Sequence, residues 1–150
     1  MSKARQLADL GNVYDDGALS NRNLIINGAC TVAQRSSSVT GVTGTGYQTT
    51  DRFLHSINAL GTWTIENSTN APSGFSNSHK MTNTTADASP ASGDYCLLEY
   101  RVEAQDLIST AYGTSSAKDM TLSFYVKSNK TGSASVEAIQ FDNSDKLWSG

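Results

Sequence analysis

Two histidines, two cysteines and 14 carboxylates are the side chains from which this 150-residue chain would have to assemble a catalytic or metal centre. An enzyme gathers a nucleophile, a base or a metal in one pocket, and the pool here is poor. His55 follows Leu54 in a strand-like stretch, where a partly buried structural histidine is a better reading than a general base. Asp51-Arg52 sets an acid beside a guanidinium, but neighbours on a strand point to opposite faces. The pair therefore reads as structural, with Arg52 meeting another carboxylate or capping backbone carbonyls. Cys30 and Cys96 lie in alternating stretches rather than as a close pair, which suits buried free thiols. Neither Cys-x-x-Cys nor His-x-x-x-His spacing is present, so no structural zinc site is expected. Asp15-Asp16-Gly17 and Asp142-Asn143-Ser144-Asp145 carry oxygens that suit calcium, yet lack EF-hand spacing and are accounted for by turn chemistry. Gly44-Thr45-Gly46 has neither the lysine nor the following helix of a phosphate loop. No catalytic, cofactor-binding or metal-ligating residue is assigned, and the expectation is a protein that is not an enzyme.

Sugar recognition asks for something else, an aromatic face with polar groups around it. Trp63, Tyr125 and Trp148 are the aromatic candidates. Trp63 shares a strand face with Ile65 and reads as core. Tyr125 falls on the face opposite Leu122, Phe124 and Val126, which exposes it to a glycan or to a neighbouring subunit. Tyr125 and Trp148 are thus the candidate glycan-binding residues.

The elements that would position these side chains are strands. Only 37% of residues are hydrophobic and 17% charged, with six Tyr, four Phe and two Trp among many Ser, Thr, Asn and Gly. Short strands joined by polar turns fit that balance. A net charge of -3 without a Lys/Arg cluster argues against a nucleic-acid partner. The longest apolar runs, such as Leu24-Ile25-Ile26, are far short of the ~20 residues that span a bilayer. The opening residues lack the apolar core of a secretory signal, so the chain is expected to be made in a cytoplasm and to leave only within a larger assembly.

Along the chain, residues 4–10 predict about two helical turns with Leu7 and Leu10 on one side and Gly11 as the stop. Residues 12–23 are polar, without a sustained period, and read as an arm or linker. From Asn23 the pattern predicts short strands at 24–26, 30–34, 47–57, 61–67, 94–104, 119–128 and 133–141, with a weak one near 79–83. Residues 35–46 read as a Gly/Ser/Thr-rich loop too polar to pack, and 105–112 as one helical turn. Missing helical periods between strands indicate an antiparallel sandwich rather than a βαβ fold.

Asn23-Leu24-Ile25-Ile26-Asn27-Gly28-Ala29, then Val32-Ala33-Gln34-Arg35, then Tyr47 with Asp51-Arg52-Phe53, and finally Met120-Thr121-Leu122-Ser123-Phe124-Tyr125-Val126-Lys127-Ser128 occur in that order. Together they resemble a jelly-roll family of bacteriophage tail and virion proteins whose fold is similar to carbohydrate-binding modules. The segment Lys3-Ala4-Arg5-Gln6-Leu7-Ala8-Asp9-Leu10 resembles one that phage fibre proteins carry ahead of such domains. The resemblance implies an all-β, antiparallel jelly-roll sandwich over residues 23–150, preceded by an extended or short-helical virion-attachment arm over residues 1–22. Rolls of this kind use about eight strands, against six or seven clear ones here, so the domain would be truncated or completed by neighbouring chains. It further implies a tail-fibre subunit of the virion that serves host adsorption, with Arg5, Leu7 and Leu10 as anchoring residues. Its partners would be tail or portal-side proteins, two further copies in a homotrimer and a host-surface glycan, with no nucleic acid, no membrane insertion and no cofactor. The alternatives are a soluble carbohydrate-binding module and a head-decoration or knob protein.

Overall fold

The structure, a computed structural model, describes residues 2–15, 23–140 and 146–149. Strand outweighs helix, 29% against 11%, and every strand pairing is antiparallel, so the all-β class holds. Helix α1 (Lys3–Asp15) is followed by β1 (Ser38–Val42), β2 (Phe53–Asn58), β3 (Thr62–Ser68), β4 (Ser78–Thr85) and β5 (Tyr95–Tyr100). A 3-10 helix (Ala104–Thr110) comes next, and β6 (Glu137–Gln140) and β7 (Lys146–Ser149) pair antiparallel in a two-stranded sheet.

One sheet has the order β1-β3-β4, and a second joins β2 to β5. Alternation along β3 turns Trp63, Ile65 and Asn67 to one side, and Ile65 at the centre is fully buried. Val42 of β1, Ile57 of β2 and Ile65 form the buried cluster, with Val39, Leu60, Trp63, Met81 and Cys96 packed around it. Because that cluster draws on every strand of both sheets, the sheets face each other across it. The Trp63 indole N–H donates to the Leu60 carbonyl at 2.8 Å, so its one polar atom is satisfied inside, as its core reading requires. At the turn between β2 and β3, Gly61 has φ +74°, and a Cβ there would collide with the Thr85 carbonyl oxygen.

Several elements differ from the expectations. The stretch 35–46, read as loop, contains β1, because a five-residue strand needs only Val39 and Val42 to reach the core while Ser and Thr face outward. Gly41, at φ +74°, absorbs the irregular register between those two valines. Residues 24–26 and 30–34 form no strand, and β2 starts at Phe53 rather than at 47. Residues 119–128, the most regular alternation in the chain, also form no strand. Alternation assigns side chains to faces, but a strand exists only when a neighbour takes its backbone hydrogen bonds. Lys146–Ser149, outside every expected strand, supplies β7 opposite β6. The weak strand near 79–83 is the full-length β4, and 105–112 holds the 3-10 helix.

Helix α1 continues past Gly11 to Asp15, so a glycine that costs a helix about 1 kcal/mol does not end it. Ser2 opens it, its hydroxyl accepting from the Arg5 backbone N–H at 3.4 Å. Residues 2–9 are exposed, and among the described residues α1 makes no contact with a strand.

Candidate functional site

Asparagines organise one concave surface of the molecule. At the Asn27-Gly28 turn Asn27 takes φ +62°, a conformation asparagine tolerates better than most residues. Its side-chain amide donates to the carbonyls of Val32 and Asp51, each at 2.9 Å, and its oxygen accepts from the Val32 N–H at 3.0 Å. The Asp51 N–H donates to the Val32 carbonyl at 3.0 Å, and the Gln34 N–H donates to the Asp51 carboxylate at 3.3 Å. Asn67, on the inner side of β3, donates to the Cys30 carbonyl at 2.6 Å and to the Thr50 hydroxyl at 3.3 Å, while accepting from Asn77 at 2.8 Å. The Tyr100 hydroxyl accepts from the Ile26 N–H at 2.7 Å and donates to the Leu24 carbonyl at 3.2 Å. Residues 24–35, without a ladder of their own, are thereby laced to the turn before β2 and to both sheets.

This lacing brings Gln34 and Arg35 beside Tyr47, Asp51 and Arg52, and Arg101 and Glu103 close the far side of a cleft of about 630 Å³. Asp51 and Arg52 were expected on opposite faces of a strand. They line one cleft instead, because neither lies in β2 and Arg52 takes φ +75°. Such left-handed backbone costs a non-glycine residue roughly 1–2 kcal/mol, and it is held by what Arg52 gains. Its guanidinium donates to the Glu103 carboxylate at 3.1 Å and lies 5.8 Å from the centre of the Tyr100 ring. The hydrogen bond to Glu103 raises the Arg52 pKa above its ordinary value, so the charge is permanent. Arg52 thus meets another carboxylate, as its sequence position suggested. Arg101 donates to Glu99 at 2.5 Å. Arg35 is held more loosely, 3.6 Å from Asp51 and 5.9 Å over the Tyr47 ring.

Behind the cleft the core turns polar. His55 is fully buried, and neither of its ring nitrogens, nor either of those of His79, has a hydrogen-bond partner among the described residues. Burial lowers the pKa of both, and with the nearby His55 it brings His79 down to about 4, so both are neutral near pH 7. His55 does not line the cleft. Cys30 and Cys96 are free thiols, each pushed up in pKa by burial. Among the described residues no group of three or more His, Cys, Asp or Glu side chains could hold a metal ion. The calcium candidates at 15–17 and 142–145 lie at least partly outside the described residues.

Of the residues singled out from sequence, Arg5, Leu7 and Tyr125 do not line the cleft. Arg5 and Leu7 stand exposed on α1; Leu10 follows on the same helix, its side chain outside those described. Tyr125 is 74% exposed and meets the Phe75 ring edge-on at 5.7 Å, away from the cleft. Trp148 sits in β7 opposite Ala138, its side chain also outside those described. Sequence reasoning missed Gln34, Arg35, Tyr47, Arg101 and Glu103 as a site. The available signal was that three of only five arginines in the chain, Arg35, Arg52 and Arg101, stand within one residue of Gln34, Asp51 or Tyr100. No family model matches this chain, and comparison with curated proteins and with solved structures gives no match.

Proposed function

We propose that this chain is a structural component of a bacteriophage particle, a tail-fibre-type subunit that anchors through an arm at residues 1–22 and projects a jelly-roll-type domain toward the host. The single observation that carries the reading is α1, a helix that touches no strand among the described residues. Leu7 on that helix is 70% exposed, and burying such a side chain on a partner is worth about 1.5–3 kcal/mol. A helix this short gains little stability alone and orders best against something else. Two facing antiparallel sheets and exposed apolar residues along 120–126 accord with a roll completed by neighbouring copies, for which a homotrimer is the natural arrangement.

A Leu7→Asp, Leu10→Asp double variant tests attachment. The β domain should fold with an unchanged near-ultraviolet spectrum while the chain is lost from assembled particles. Incorporation at the wild-type level would contradict the arm as anchor. That result would leave a soluble carbohydrate-binding module as the better reading, which the polar cleft independently favours.

A further inference from the structure

We infer that the cleft binds a saccharide carrying a carboxylate, with the Arg35 guanidinium as partner of the acid group. The inference takes its biological sense from the host-adsorption reading, while its chemistry comes from the cleft alone. In a chain of net charge -3, three of five arginines converge on one surface, against two lining carboxylates, Asp51 and Glu103. The three guanidiniums are not equivalent. Arg52 is committed to Glu103 at 3.1 Å and Arg101 to Glu99 at 2.5 Å. Arg35 lies beyond hydrogen-bond length from Asp51, makes no hydrogen bond among the described residues, and its side chain is 58% exposed. A planar guanidinium with unused donors matches a carboxylate through two parallel hydrogen bonds.

The remaining lining chemistry suits what such an acid would be attached to. Asp51 and Glu103 keep carboxylate lone pairs for hydroxyl groups beside the bonds they accept from the Gln34 N–H, Arg52 and Gln105, the Gln34 amide offers both a donor and an acceptor, and the partly exposed Tyr47 ring, with Arg35 over it, adds apolar surface. A small inorganic or organic anion would use Arg35 and leave those groups idle. A neutral sugar would use them and leave Arg35 unanswered. A sugar acid uses both sets. The framework that holds Arg35 beside Tyr47 runs through Asn27 and the Gln34 N–H, and a site held by its own hydrogen bonds loses little freedom on binding.

The test is titration of the full chain, by calorimetry or saturation-transfer NMR, with galacturonate, galactose and acetate at matched ionic strength. Galacturonate should bind with a Kd on the order of 1 mM or tighter, and galactose and acetate at least about tenfold more weakly. Arg35→Gln should lose that binding about tenfold or more with no change in melting temperature, and Arg35→Lys, which keeps the charge but not the fork, should recover only part of it. Equal binding of galactose would overturn the role of the carboxylate, and equal binding of acetate would overturn the saccharide. Absence of galacturonate binding, or full binding by Arg35→Gln, would overturn the inference as a whole. Particle incorporation of the same Arg35→Gln chain keeps the two readings apart: the adsorption site can fail while attachment through α1 persists, and the reverse.

Discussion

Residues 23–35 and residues 119–128 reverse what their patterns suggest. The first stretch has only a brief apolar run and no ladder, yet it is fixed by side-chain hydrogen bonds from Asn27, Asn67 and Tyr100 and supplies Gln34 and Arg35 to the cleft. The second has Met120, Leu122, Phe124 and Val126 in strict alternation, and all four are exposed, with Val126 at 79%. Order in this molecule follows from where backbone groups find partners more than from hydrophobic periodicity. A polar side chain that reaches a carbonyl 24 residues away can do what a neighbouring strand does elsewhere.

Substitutions can break or sharpen that contrast. The largest effect is expected in the core that both sheets share: Ile65→Ala should lower the unfolding free energy by about 2–5 kcal/mol in urea titrations, as fully buried isoleucines do. Next comes Asn27→Ala. It removes three hydrogen bonds at about 0.5–1.5 kcal/mol each, so stability should fall by roughly 1.5–4.5 kcal/mol and the cleft should lose its frame. A cost near zero would show that the lacing is incidental.

What was legible in the sequence divides along the same line. Alternation in 61–67 predicted β3 with Trp63 and Ile65 inward, because both of its neighbours are present to make that pattern a strand. The same rule failed at 119–128 for want of a partner, and at 35–46 because two valines suffice for a strand that borrows β3. Helix α1 was foreseen and its end was not. The cleft was illegible for a geometric reason. Asp51 and Arg52 share a surface only because Arg52 adopts left-handed backbone, and Arg101 and Glu103 arrive from a strand end some fifty residues later. The motifs at 34–35 and 51–52 are apart in sequence, and only the fold makes them neighbours.

A smaller effect is expected from pH. His79 has its pKa lowered to about 4 in the folded chain against an ordinary 6.5, so the unfolded state takes up the proton first as pH falls. Stability contributed by the neutral imidazole is fully present above about 6.5 and declines as pH drops toward 4. The urea midpoint should therefore be lower at about pH 5 than at about pH 7, and His79→Gln should reduce that difference. The smallest effect belongs to the exposed stretch, where Phe124→Ala should change stability by no more than about 0.5 kcal/mol in the isolated chain. A loss comparable to that of Ile65→Ala would place Phe124 inside a core.

Hydrogen–deuterium exchange of the full chain tests most directly the claim that side-chain lacing, not strand pairing, orders the half of the molecule that holds the cleft. The N–H groups of Val32 and Gln34, whose acceptors are the Asn27 and Asp51 side chains, should exchange as slowly as those of β3, while in the unassembled chain the amides of residues 120–126 should exchange at nearly unprotected rates. Protection across 120–126 equal to that of β3, with Val32 and Gln34 open, would contradict the account.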